Sequence, residues 1–105
     1  MNKLCELNDI PQGKAIVVSN EASSYVVYRS YKGVHVYLNR CPHLQVPLNT
    51  DSAQLLDDSG SLLQCDKHGA LFVVDSGRCV SGPCEGKRLT QVAIHLDESN
   101  TLYLT

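Results

Sequence analysis

Two short segments carry the residues best suited to chemistry: Cys41-Pro42-His43 and Cys65-Asp66-Lys67-His68-Gly69, separated by residues 44–64. Each offers one thiol and one imidazole, spaced C-x-H or C-x-x-H, so that both side chains of a loop can turn toward one point. Thiolates are soft, strongly donating ligands that suit iron–sulfur clusters and zinc, while imidazole suits iron, zinc and copper. Two sulfurs and two nitrogens match two kinds of centre. One is a [2Fe–2S] cluster with Cys41 and Cys65 on one iron and His43 and His68 on the other. The second is a tetrahedral structural zinc site. Common zinc spacings pair Cys with Cys and His with His, whereas each half here carries one of each. Gly69, directly after the last candidate ligand, removes a Cβ where backbone N–H groups would have to approach sulfide.

The elements that must position these loops read as short strands. Val34, Val36 and Leu38 alternate with His35, Tyr37 and Asn39, a period of two that predicts one buried and one wet face. Tyr25 to Tyr28 is rich in β-branched and aromatic residues, and Lys32-Gly33 reads as a hairpin turn after it. Turn signals recur at Asp58-Ser59-Gly60, Asp75-Ser76-Gly77 and Asp97-Glu98-Ser99-Asn100, each between apolar runs. No stretch sustains a helical period, although a single helical turn could form near Thr50 to Leu55. The pattern predicts an all-β chain, an antiparallel sandwich or barrel. Topologically, residues 1–39 and 87–105 supply base strands, and about 40–86 holds both ligand pairs within one domain of 105 residues.

Composition narrows the function. Apolar residues make up 43% and charged residues 19%, ordinary for a globular chain with a modest core. A formal net charge of −2 gives no broad basic surface for nucleic acid or anionic membrane. The longest apolar run, Ala70 to Val74, is far short of the ~20 residues that span a bilayer. Met1 to Lys14 lacks the apolar core of a signal peptide, so a cytoplasmic protein is expected. The 5 cysteines then argue for metal binding or reactive thiols over a disulfide scaffold, and their odd number forbids complete pairing. Cys5 fits an apolar strand, and Cys79 and Cys84 fit buried small residues better than a tuning pair. His35 and His95 read as surface histidines. The acidic Asp57, Asp58, Asp66, Asp75 and Glu85 are interspersed with Lys67, Arg78, Lys87 and Arg88, which suggests a mixed solvated surface.

Cys41-Pro-His-Leu-Gln-Val-Pro-Leu48 and Cys65-Asp-Lys-His-Gly-Ala-Leu-Phe72 resemble the two ligand loops of the Rieske [2Fe–2S] family. Gly77…Ser81-Gly82-Pro83 resembles the proline-bearing third loop that covers the cluster in that family. The resemblance spans about residues 39–90. It implies an antiparallel Rieske-type β-sandwich with an inserted cluster-binding subdomain, one [2Fe–2S] cluster per chain, and Cys41, His43, Cys65 and His68 as ligands. Leu44, Pro47, Gly69 and Pro83 would then form the loops that shield the cluster, with His43 and His68 at the tip as the port for electrons and for coupled protons. The gap between ligand pairs is longer than in many members, and Asp51 to Ser61 reads as a small insertion.

Departures from the family refine the expectation. Members in mitochondrial and chloroplast complexes carry an extra Cys in each ligand loop; here Val46 and Asp66 or Lys67 stand in those places. Those members also have a Ser and a Tyr hydroxyl near the sulfurs, where this chain has Ala70 and Phe72. Hydroxyl donors raise the potential, so their loss points to the low end of a range from about −150 to +300 mV. The resemblance thus implies a low-potential one-electron carrier without catalytic residues of its own, because 105 residues leave no room for a substrate pocket and a second metal. Its partners would be a flavin-dependent NAD(P)H reductase and a terminal oxygenase. The alternatives are a small subunit of an assimilatory nitrite reductase or a zinc-stapled interaction module.

Overall fold

The computed structural model describes residues 2–20, 23–31, 33–40, 55–57, 59–65, 70–82 and 86–105. Within them lie nine strands: β1 (Asn2–Glu6), β2 (Lys14–Ser19), β3 (Ser24–Ser30), β4 (Gly33–Leu38), β5 (Leu62–Gln64), β6 (Leu71–Val73), β7 (Cys79–Ser81), β8 (Ile94–Leu96) and β9 (Thr101–Leu104). One 3-10 turn, Leu7–Asp9, follows β1. Every strand pairing is antiparallel, in three sheets of order β1-β9-β8, β2-β3-β4 and β5-β6-β7. The all-β antiparallel architecture expected from the turn signals is therefore the observed one. Among the described residues no helix is long and apolar enough to cross a membrane.

The β2-β3-β4 sheet is the middle layer. Its register pairs Val17 with Val26 and Val26 with Tyr37; these face a core shared with Leu63, Phe72, Cys79 and Leu89. The alternate residues Ile16, Val27 and Val36 face a second core with Leu4, Ile10 and Leu102, beneath the sheet formed by the chain ends. Covering on both faces explains why β2 (Lys-Ala-Ile-Val-Val-Ser) and β3 (Ser-Tyr-Val-Val-Tyr-Arg-Ser) carry near-continuous apolar runs. It also overturns the expectation of a wet face on β4: Tyr37 has no exposed surface and Asn39 is buried. The polarity of alternate residues on β4 reflects two different coverings, not one covering and solvent. His35, on the same face as Tyr37, is half-buried with its Nε2 3.7 Å from Asp75 Oδ1. His95 is exposed, as expected.

Turns close where the sequence signals placed them, with one shift. Gly33 already pairs with Ser30, and the Gly33 N–H donates to Ser30 Oγ at 3.0 Å, so the β3–β4 connection is residues 31–32 rather than Lys32-Gly33. Before β5, Asp57 Oδ1 accepts from Ser59 Oγ (2.7 Å) and from the N–H groups of Ser61 and Leu62 (both 3.3 Å), which folds the chain back on itself. The bond from Ser59 leads in holding the Asp57 carboxyl below its usual pKa. Asn100 takes φ 62 in the β8–β9 turn, a left-handed conformation that Asn tolerates. The helical turn expected near Thr50 to Leu55 falls outside the described residues except for Leu55, which is fully buried.

Tyr37 joins the middle layer to the β5-β6-β7 sheet. Its hydroxyl donates to the Val74 carbonyl at 2.8 Å, and its ring lies where a Cβ on Gly77 would approach to 2.9 Å. Burial, with the Asp75 charge adding to it, pushes the hydroxyl pKa up to about 12. The neutral form is thus favoured in the fold, and this contribution is intact below the ordinary tyrosine pKa and lost as pH rises toward 12. Replacing Tyr37 by Phe leaves the Val74 carbonyl without that donor and is expected to cost about 1–3 kcal/mol in urea unfolding at neutral pH. An unchanged midpoint would show that the bond contributes nothing.

Candidate metal centre

Of the four candidate ligands, Cys65 lies within the described residues; Cys41, His43 and His68 lie outside them, as do Leu44, Pro47, Gly69, Pro83 and Cys84. Cys65 is 1% exposed, in one core with Ala70, Phe72 and Cys79. It follows β5 directly. Leu62–Val73, Leu63–Phe72 and Gln64–Leu71 are register pairs, and the Cys65 N–H then donates to the Ala70 carbonyl at 2.8 Å. The segment 66–69, which includes His68, thus starts and ends at a closed pair of backbone groups. A second rail supports the first: the Gln64 N–H donates to the Leu55 carbonyl and the Asp57 N–H to the Leu62 carbonyl.

The approach to the other pair is pinned in the same manner. The Leu38 N–H donates to the Thr90 carbonyl at 2.9 Å and the Asn39 N–H to the Ser24 carbonyl at 3.0 Å. Asn39 Nδ2 adds a 3.1 Å bond to Ser24 Oγ, so the backbone is fixed two residues before Cys41. This explains why a polar Asn is buried there: its amide ties two strands together at the point where the chain leaves the sheet.

The third segment reaches the second loop by a close backbone approach. Gly82 has φ +99, and a Cβ there would lie 2.8 Å from Ala70 Cα and 3.3 Å from Ala70 N. Only glycine fits both the left-handed conformation and the contact. The small Ala70, fully buried, is the matching surface. A register shift between Leu71 and Phe72 accompanies the pairing of β6 with β7 and carries the chain toward this contact. Phe72 is also fully buried. Both positions at which a hydroxyl would be expected in complex-type members are therefore apolar side chains inside the core that holds Cys65.

The other described cysteines are structural. Cys79 is 2% exposed, and its Sγ donates to the Ser81 carbonyl at 3.2 Å. Cys5 sits in the core under the chain ends, where burial, helped by the charges of Asp9 and Glu6, pushes its thiol up to about 11. A thiol so protonated is a poor nucleophile and a poor ligand at neutral pH. Among the described residues no group of three or more His, Cys, Asp or Glu forms a metal site. The donor chemistry at Cys65 fits an iron–sulfur cluster: a buried thiol beside small residues, on a turn anchored at both ends.

Replacing Gly82 by Ala forces a Cβ against the Ala70 backbone in a strained conformation and is expected to lower stability by about 1–3 kcal/mol. Gly60, which has φ +75 but open space, provides the comparison: alanine there meets strain without a clash and should cost less. Thermal unfolding of the two variants checks the order, and a larger loss at Gly60 would refute the contact.

The model of the Rieske [2Fe-2S] domain matches residues 1–96. Solved structures share the fold. The Sphingomonas yanoikuyae B1 ferredoxin is 21% identical with a TM-score of 0.75, over 98% of this chain and 96% of that one. A chain from the complex of reduced oxygenase and oxidized ferredoxin in carbazole 1,9a-dioxygenase is 26% identical with a TM-score of 0.75, over 97% of this chain and 90% of that one. A structure described as a nitrite reductase NADPH small-subunit protein is 20% identical with a TM-score of 0.69, over 98% and 96%. The family's cofactor is a single [2Fe–2S] cluster, and the family match spans both Cys/His pairs. This chain belongs to the Rieske [2Fe–2S] domain family.

Proposed function

We propose that the chain is a one-electron carrier whose cluster is held by Cys41 and Cys65 on one iron and His43 and His68 on the other. The observation that carries this reading is the buried Cys65 at the closed base of the 65–70 turn, within a family match that spans both pairs. When bound, the cluster supplies reversible one-electron transfer. The chain's own residues hold it and exclude water: the β5–β6 rails fix Cys65, the Asn39–Ser24 bonds fix the approach to Cys41, and Gly82 lets the third segment close on Ala70. Leu44, Pro47, Gly69 and Pro83 would complete the shield. The division into base strands at 1–39 and 87–105 and a cluster-binding part at about 40–86 is supported by β5, β6 and β7 forming a sheet of their own.

The electrons pass, on this reading, from a flavin-dependent NAD(P)H reductase to a terminal oxygenase, within the cytoplasm. Support comes from the carbazole dioxygenase neighbour, a structure named as a complex of oxygenase and ferredoxin. A second reading, a small subunit of an assimilatory nitrite reductase, draws on the neighbour described as such. Co-purification with a large sirohaem subunit would favour the second; turnover of a reductase–oxygenase pair dependent on this chain would favour the first. The zinc alternative predicts a colourless protein containing zinc and no iron.

His68→Ala is expected to abolish the EPR signal of the dithionite-reduced protein and to lower bound iron, while far-UV circular dichroism stays that of a β protein. An unchanged EPR spectrum would refute the ligand assignment. The potential should lie low because Ala70 and Phe72 offer no hydroxyl. Ala70→Ser with Phe72→Tyr should raise it, by about 60 mV for each hydroxyl bond that strengthens by about 1.4 kcal/mol on reduction. A wild-type midpoint well above zero would contradict the low-potential reading.

A further inference from the structure

We propose that the outward face of β7 and the segment beside it form a docking surface for an acidic patch on the protein that exchanges electrons with this chain. This rests on the electron-carrier reading above. Along β7, Cys79 points into the core, so its neighbours Arg78 and Val80 point outward, and Val80 is 36% exposed. The segment 86–89 runs antiparallel alongside: the Cys79 N–H donates to the Lys87 carbonyl and the Leu89 N–H to the Gly77 carbonyl. Arg78 and Arg88 face each other across an antiparallel bridge, so their side chains leave the same face. Both cations of this bridge, Arg78 and Arg88, are exposed; Lys87, opposite Cys79, is exposed but leaves the other face.

Two like charges set directly opposite each other destabilise an isolated sheet. Among the described residues no carboxylate lies within ion-pair distance of Arg78, Lys87 or Arg88; the ion pairs there are Lys3–Glu6 and His35–Asp75. Glu85 lies outside the described residues. The repulsion is relieved when an anionic group enters between the guanidinium groups, where the planar fork of Arg takes a carboxylate by paired hydrogen bonds. A groove of about 430 Å³, lined among the described residues by Arg78, Cys79, Val80 and Gly86, opens at this place. Gly86 contributes no side chain to fill it, and Val80 adds an apolar contact. A cationic rim around an exposed aliphatic side chain fits an acidic protein surface better than a free anion.

Position gives the surface its purpose. The inner side of the same strand is Cys79, in one core with Cys65, Ala70 and Phe72. The strand then runs into Gly82, whose backbone touches Ala70. A partner seated on the outer face stands one strand's thickness from the core that holds Cys65. The overall charge of −2 would not steer an acidic partner, so the local cations must do so.

The test uses the reduced holoprotein in stopped-flow reoxidation by ferricyanide, an anion, and by a tripositive cobalt(III) tris-chelate. Each step moves one electron from the reduced cluster to the oxidant, giving ferrocyanide or cobalt(II). The wild type should react faster with ferricyanide as ionic strength falls. Arg78→Glu with Arg88→Glu should cut that rate by about tenfold, reverse its salt dependence and speed the cationic oxidant. Lys3→Glu with Lys14→Glu, on the base strands, is the control and should change neither rate appreciably. Equal effects from both pairs, or none from the arginine pair with EPR intact, would overturn the proposal. Absence of any reoxidizable cluster would instead defeat the carrier reading. The surface is then decided by anisotropy of fluorescein-labelled poly-glutamate, which should bind the wild type and not the arginine variant. Equal or tighter binding of labelled single-stranded DNA, or of anionic phospholipid vesicles, would overturn an acidic protein as the occupant.

Discussion

Burial of the β2-β3-β4 sheet on both faces is the constraint from which the rest of the molecule follows. Side chains on a strand alternate, so a one-residue slip in register would exchange the two faces along the entire strand. With Tyr37 and Phe72 filling one core and Ile10 and Leu102 the other, such a slip would put each set against the wrong partners. The register of six consecutive pairs between β3 and β4 is thereby fixed. That fixes Asn39 against Ser24, and with it the direction in which the chain departs toward Cys41. The same sheet receives the β5-β6-β7 layer through Tyr37, whose ring meets Gly77 and whose hydroxyl meets Val74. The strands that lead into both Cys/His segments are therefore held by this one sheet.

What was legible in the sequence was what is local. The identities of the Cys/His donors and their offsets need no tertiary context, and they led to the family that the match over residues 1–96 establishes. Turns at Asp75-Ser76-Gly77 and Asp97 to Asn100 were legible because left-handed positions admit few residues: Gly77 sits at φ +75 and Asn100 at 62. The face of β4 was misread because polarity reports whether a residue tolerates water, not what covers it. Tyr37 and Asn39 each carry a polar group that a partly buried partner satisfies, Val74 for one and Ser24 for the other. No pattern within β4 identifies partners that lie 37 and 15 positions away. The Gly82–Ala70 contact was likewise hidden, since it joins two residues with no chemistry of their own.

Ala70 carries two constraints at once, and they pull in the same direction. Its backbone must accept the approach of Gly82, which leaves little room for a larger side chain. Its carbonyl closes the turn that begins at Cys65. A methyl group satisfies the packing and also withholds a hydroxyl from the surroundings of that cysteine. Phe72 repeats the logic one alternation further along the strand: it is fully buried, pairs with Leu63 and Cys79, and brings no donor. A donor near a cluster stabilises the form with more negative charge. On the proposed reading, packing the core of the β5-β6-β7 layer with apolar side chains would favour the oxidised state, and a readily surrendered electron is the property a carrier requires. The residues that pack this layer would then be the ones that also set its redox poise.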